Sequence, residues 1–85
     1  MAGSDHKRLR KILASPNNVR FSEMSAVVEA FGFVRLRVSG SHHIFGLAGL
    51  AEQINLQNVN GKAKPYQIRQ FLKIVERYNL QLEDE

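Results

Sequence analysis

The stretch Phe33-Val34-Arg35-Leu36-Arg37-Val38-Ser39-Gly40-Ser41-His42-His43-Ile44-Phe45-Gly46-Leu47 decides the fold class. Its first seven residues alternate with period two and are rich in β-formers, which predicts a strand. Val34, Leu36 and Val38 share one face, expected to be the buried one, and Phe33, Arg35 and Arg37 share the other. Ser39-Gly40-Ser41 is a turn signal, and His42 to Leu47 is the return strand. Downstream, a third strand is expected over about Gln53 to Asn58, with Ile54 and Leu56 facing in and Gln53, Asn55 and Gln57 facing out. Asn58 to Lys64 reads as a loop with an Asn-Gly turn.

Helical periodicity flanks these strands. Ser22 is a good N-cap for a helix whose stripe is Met24, Val27, Val28 and Phe31, at i, i+3, i+4 and i+7. Gly32 suits the left-handed residue that ends such a helix. Pro65 opens a last helix, where its missing N–H costs nothing. Ile68, Phe71, Leu72 and Val75 form its apolar stripe, with Arg69, Lys73 and Arg77 off it, and the helix is expected to end near Tyr78-Asn79. Ahead of this unit, Ser4 is read as the cap of a short helix to about Ala14. Leu9, Ile12 and Leu13 make its narrow stripe, Lys7, Arg8, Arg10 and Lys11 cover the rest, and loose packing is expected. Ser15-Pro16-Asn17-Asn18 breaks the chain between the two helices.

The predicted class is α+β: a small three-stranded antiparallel sheet with helices on one face, in the order α-β-β-β-α, with an extra N-terminal helix. The other sheet face is left open. Residues 1–85 are read as one domain, with a core of about 19–78, the extra helix at 5–14 and a frayed acidic tail at 79–85. Eighty-five residues with 44% apolar and 24% charged side chains support one modest core and argue against wholesale disorder.

Charge narrows the partners. Residues 1–40 carry seven Lys/Arg against three acids, and residues 41–82 five against two, so residues 1–82 stand at +7. Glu83, Asp84 and Glu85 bring the chain to +4. A basic body of this size suits a polyanion, most often a nucleic acid, although many small stable domains are simply basic. Cys is absent, which excludes a disulfide scaffold, a thiol nucleophile and a Cys-based metal site. No run is long and apolar enough for a membrane span or a secretory signal, so no membrane partner is expected and a cytoplasmic location is the default.

The catalytic inventory is short. No acidic pair, HExxH or phosphate-loop motif occurs, and Gly46-Leu47-Ala48-Gly49 lacks the lysine and helix that a phosphate cradle needs. The adjacent pair His42-His43 is the unusual feature. Neighbours on a strand point to opposite faces, so the two rings are poorly placed to share a metal. One faces the helices and one the open side, and alternation does not decide which. The bland reading is two partly exposed strand residues of no consequence. Against it, the pair follows a tight turn, Arg35 and Arg37 lie on the adjoining strand, and imidazole serves as general acid or base near neutral pH. RNA supplies its own nucleophile, the 2′-hydroxyl, so one His with cationic support suffices to cut it.

Gly40-Ser41-His42-His43-Ile44-Phe45, preceded by Gly32-Phe33 and a basic strand, resembles the G-S-H motif and its helix-to-strand junction in the HicA (YcfA-like) toxins. The resemblance runs from about Val19 to Tyr78. It implies a fold like a double-stranded-RNA-binding domain, an mRNA-cleaving endoribonuclease activity with no cofactor or metal requirement, and neutralisation by a HicB-like antitoxin. The family's catalytic His falls on His42, while His43 inherits nothing. Ser39 stands where many members have Lys or Gln, so cationic help falls to Arg35 and Arg37. Lys62 and Lys64 are further candidates for RNA phosphate contacts, and Ser41 for orienting the imidazole or the phosphate. The helix at 5–14 lies outside the family's core, and serves as a plain extension or as an oligomerisation or antitoxin-docking element. The competing readings are a non-catalytic RNA-binding module and an inactive toxin relative kept for interaction.

Overall fold

The computed structural model describes residues 2–82, with side chains from Ser4. Three helices and four strands follow in the order α1 (Ala2–Ala14), α2 (Phe21–Ala30), β1 (Val34–Ser39), β2 (His42–Gly46), β3 (Ile54–Val59), β4 (Lys62–Ala63) and α3 (Pro65–Arg77). The fold is α+β, and the antiparallel sheet has the strand order β1-β2-β3-β4. The expected loop at 58–64 is therefore a hairpin. Asn60 and Gly61 both take positive φ (52° and 83°) at its tip, the backbone an Asn-Gly hairpin turn requires. This adds a short fourth strand to the three expected.

The core lies between the sheet and two helices. Met24, Val27, Val28 and Phe31 of α2 and Ile68 and Phe71 of α3 are buried against Phe45, Ile54 and Leu56. Phe71 is the hub, with its ring in edge contact with those of Phe31 and Phe33 at 5.5 and 5.7 Å. A polar plug sits among them: buried Gln67 accepts the Gln57 backbone N–H through Oε1 at 2.7 Å, satisfying β3 where β4 no longer reaches it.

Several helix boundaries move. α2 begins at Phe21, not after Ser22, because Glu23 accepts the Arg20 backbone N–H at 3.2 Å and does the capping from within the first turn. Gly32 closes it at φ 99°, as read from the sequence. α1 starts at Ala2, so Ser4 lies inside its first turn and caps nothing. α1 is also better anchored than its stripe suggests. Ile12 is fully buried, and Lys11 Nζ lies 2.7 Å from Glu23 on α2, while Leu13 points to solvent. α3 ends in a Schellman motif: Asn79 is left-handed, and Leu80 N–H returns to the Val75 carbonyl at 2.9 Å. The chain then tucks Leu82 into the core. Residues 79–82 are thus part of the fold and not a frayed tail, while Glu83, Asp84 and Glu85 lie outside the described residues.

The largest departure is in β1. Val34, Leu36 and Val38 are all about half exposed, not core. Phe33 is the residue that enters the core, which sets the parity at the strand's start and turns Val34 outward. A β-bulge then sits between Arg35 and Arg37: Arg35 is opposite Phe45, whereas Arg37 is opposite Ile44. One extra residue in β1 reverses the alternation. Arg35 therefore lies on the helix side, its guanidinium 5.1 Å above the Phe45 ring and 3.7 Å from Glu29. Arg37 lies on the open side. The sequence reading had put the two arginines on one face.

Candidate functional site

The open face of the sheet is assembled by the β1–β2 hairpin. Gly40 turns it with φ 60°. Ser41 follows, and its carbonyl accepts the Asn58 backbone N–H at 2.9 Å, which ties the turn to β3. β2 then alternates with fixed consequences. His43 and Phe45 pair with Leu56 and Ile54 and face the helices. His42 and Ile44 pair with Gln57 and Asn55 and face outward. The sequence left open which His faces where, and the register decides it for His42 as the outward one.

His42 is held from the next strand. Its Nδ1 lies 3.2 Å from Asn55 Oδ1. An amide oxygen only accepts, so across this contact Nδ1 is the donor, and in the neutral tautomer that makes it, Nε2 is the acceptor nitrogen. The contact orients the ring from the neighbouring strand, on the open face of the sheet. Arg37 sits diagonally across the β1–β2 ladder on the same face, since it pairs with Ile44 and His42 pairs with Ser39. Same-face diagonal neighbours lie within reach of long side chains.

The other candidate residues divide. Ser41 is beside His42 in the chain, but its Oγ accepts from Gln57 Nε2 at 3.3 Å, so it braces the turn and does not orient the imidazole. Arg35 is on the opposite face and belongs to the Phe45–Glu29 contact. Lys62 is on β4, opposite Val59, and its Nζ donates to Asn18 Oδ1 at 2.7 Å. Lys64 is the N-cap residue of α3, with its ammonium 5.9 Å from the Tyr66 ring centre. The structure thus gathers His42, Arg37 and Ser41 at one end of the hairpin, puts Lys62 further along the β3–β4 ladder and leaves Arg35 out.

Two groups escaped the sequence reading. Asn55 was legible as an outward, uncharged strand residue, but its partner depends on the β2–β3 register, which the irregular 47–53 connection conceals. Arg20 bridges Lys62 and adds a cation at that margin.

His43 has a different environment. Its ring packs at 4.6 Å from that of Phe21, and its Nδ1 is sequestered with no hydrogen-bond partner. Burial, and secondarily the charge of Arg35, hold its pKa below the ordinary histidine value. Among the described residues no group of three or more His, Asp or Glu side chains converges as a metal site would need, and no helix is long and apolar enough to cross a membrane. Comparison with models of known protein families, with curated proteins and with solved structures returned no match.

Proposed function

We propose that this chain is a HicA-like endoribonuclease toxin with a fold of the double-stranded-RNA-binding type, and that His42 is its general acid/base. One observation carries the reading: a histidine on the open face of a basic domain, with its Nδ1 3.2 Å from Asn55 Oδ1 and Arg37 diagonally across the β1–β2 ladder on the same face. In the reaction the 2′-hydroxyl of RNA gives its proton to His42 Nε2. The 2′-oxygen attacks the neighbouring phosphorus, and the bond to the 5′-oxygen breaks. His42 returns the proton to that leaving oxygen. The products are a 2′,3′-cyclic phosphate and a 5′-hydroxyl, and the imidazole ends as it began. Arg37 balances the charge that builds on the phosphorane, and Asn55 is a positioning residue that keeps Nε2 turned outward. A basic face of this kind also suits neutralisation by a HicB-like antitoxin, and mRNA in the cytoplasm is the substrate this reading assigns.

The test uses the full chain with an end-labelled single-stranded RNA in the presence of a chelator. Cleavage leaving cyclic-phosphate ends, lost in His42→Ala, is the expected result. Asn55→Leu is expected to lower kcat more than it raises KM and to change the pH profile. RNA binding without cleavage by the wild-type chain would overturn the enzymatic reading and favour a non-catalytic RNA-binding module.

A further inference from the structure

The sheet has two edges, and they are treated differently. Beyond β4, residues 19–21 run alongside as a cover: the Ala63 N–H donates to the Val19 carbonyl at 3.0 Å, and the Phe21 N–H to that of Gly61 at 2.8 Å. Beyond β1, among the described residues, no loop or terminus makes a backbone hydrogen bond to the strand. An uncovered edge offers a row of donors and acceptors to another chain.

Beside that edge lies an apolar trough of about 340 Å³, floored by Val34, Leu36, Leu47 and Leu50. Val34 and Leu36 are 59% and 49% exposed. Gly46 makes the floor possible. A Cβ there would stand 2.7 Å from Leu36 Cδ1, so a larger residue would push the leucine side chain aside from where it lies across β2. This is the half of the open face away from His42. The sequence alternation places Val34 and Leu36 on the buried face, and the parity of Phe33 and the bulge bring them to the open one instead.

The charges select the occupant. β1 contributes Arg35 and Arg37, and no Asp or Glu occurs between residues 33 and 51. A second copy would bring the same two arginines and no carboxylate to the ladder, and a register centred on Arg35 or on Arg37 sets that arginine against its own counterpart. Like charges opposite one another destabilise a ladder, and cations along an edge strand oppose its pairing with its own copies. An acidic strand turns the same cations into attractive contacts.

We propose that the β1 edge and its trough bind an extended segment of another protein, carrying apolar side chains for the Leu36 trough and carboxylates for Arg35 and Arg37. The mode is strand addition, in which backbone bonds hold the segment and alternate side chains select it. This inference does not depend on ribonuclease activity, since the trough excludes His42.

The experiment titrates ¹⁵N-labelled full chain with three ten-residue peptides and follows amide shifts. One is built from Glu, Val and Leu with carboxylates on both faces of the extended chain, the second has Lys for each Glu, and the third has Ser for each apolar residue. Shifts confined to residues 34–39 and 46–50, at least tenfold tighter for the first peptide than for the others, are expected. Leu36→Asn and Val34→Asn, both at exposed positions, are each expected to weaken that binding about tenfold while leaving the remaining spectrum unchanged. Equal binding of both acidic peptides would reduce the site to charge alone and overturn the proposal. No binding of the first peptide at millimolar concentration would also overturn it. So would concentration-dependent dimerisation of the free chain, read by light scattering and lost in Leu36→Asn, because a second copy would then be the occupant.

Discussion

Strand β2 presents two faces made from nearly the same residues: His42 and Ile44 outward, His43 and Phe45 toward the helices. His43 is wedged against Phe21 with a nitrogen sealed from solvent. His42 is hydrogen-bonded to an amide on an adjacent strand and otherwise faces outward. The residue type is the same, and the neighbours across the ladder make one a packing residue and the other a candidate proton carrier. A histidine's role here is therefore a property of strand parity, which one bulge or one anchoring phenylalanine can reverse.

The sharpest break of this contrast is kinetic. His42→Ala is expected to reduce RNA cleavage by about 10²–10⁴-fold, the usual contribution of one general acid/base, with an unchanged urea midpoint. His43→Ala should do the reverse, keeping the rate at pH 7 while lowering the midpoint. Exchanged phenotypes in single-turnover cleavage and urea unfolding would show that the faces have been assigned the wrong way round.

Next in size is the difference between Ile44 and Phe45. Phe45 is fully buried, so Phe45→Ala is expected to cost about 3–5 kcal/mol. Against a total stability on the order of 5–10 kcal/mol for a domain this small, that leaves little fold. Ile44 is only half-buried on the open face, and Ile44→Ala should cost about 1 kcal/mol. Comparable losses in denaturant unfolding would mean that the open face is covered in solution.

These neighbouring residues also show where the sequence was legible. The stripes of α2 and α3 were readable because a helical period over ten or more residues tolerates no alternative face. The two β1–β2 strands and the turn between them were readable from Gly40 and from β-rich alternation. The burial of β1 was not, because three apolar residues alternating with two arginines name the inner face only if the strand is regular. Phe33 overrode that pattern at one end and the bulge at the other. Ser22 lost the cap to Glu23 for a related reason: the choice rests on a contact with Arg20 that composition does not reveal. The position of His42 was legible as a strand start, while its hydrogen bond to Asn55 required the register.

Two arginines sharpen the comparison at a smaller scale. Arg37 is on the His42 face and Arg35 on the other. If RNA crosses the open face, each phosphate neutralised contributes about 0.7 to the slope of log binding constant against log salt. Arg37→Ala is expected to flatten the slope by about that amount in fluorescence titrations with single-stranded RNA. Arg35→Ala should leave it unchanged. Equal flattening by both would place RNA around the edge of the sheet instead of over one face.

The smallest effect expected is a pH dependence of stability belonging to His43. Burial, and then the charge of Arg35, hold its pKa below the ordinary value, which is near 6.5 in an unfolded chain. Between the folded and the unfolded value the unfolded chain binds more protons, so the free energy of unfolding rises with pH across that window. The contribution is therefore complete above about pH 6.5 and declines as the pH falls toward the folded value. Glu23 responds in a separate window. The hydrogen bond from Lys11 holds its carboxyl below the ordinary range, so its contribution is lost only as the pH falls below roughly 4.3. Chemical unfolding of the wild-type chain at pH 7 and pH 5 should show lower stability at pH 5, and His43→Phe, which keeps a ring against Phe21, should shrink that difference. Arg35→Met should shrink it less, because the arginine charge is the lesser of the two causes. An unaltered pH dependence in His43→Phe would mean that the inward ring takes up protons as freely folded as unfolded, and the two faces of β2 would then differ in geometry alone.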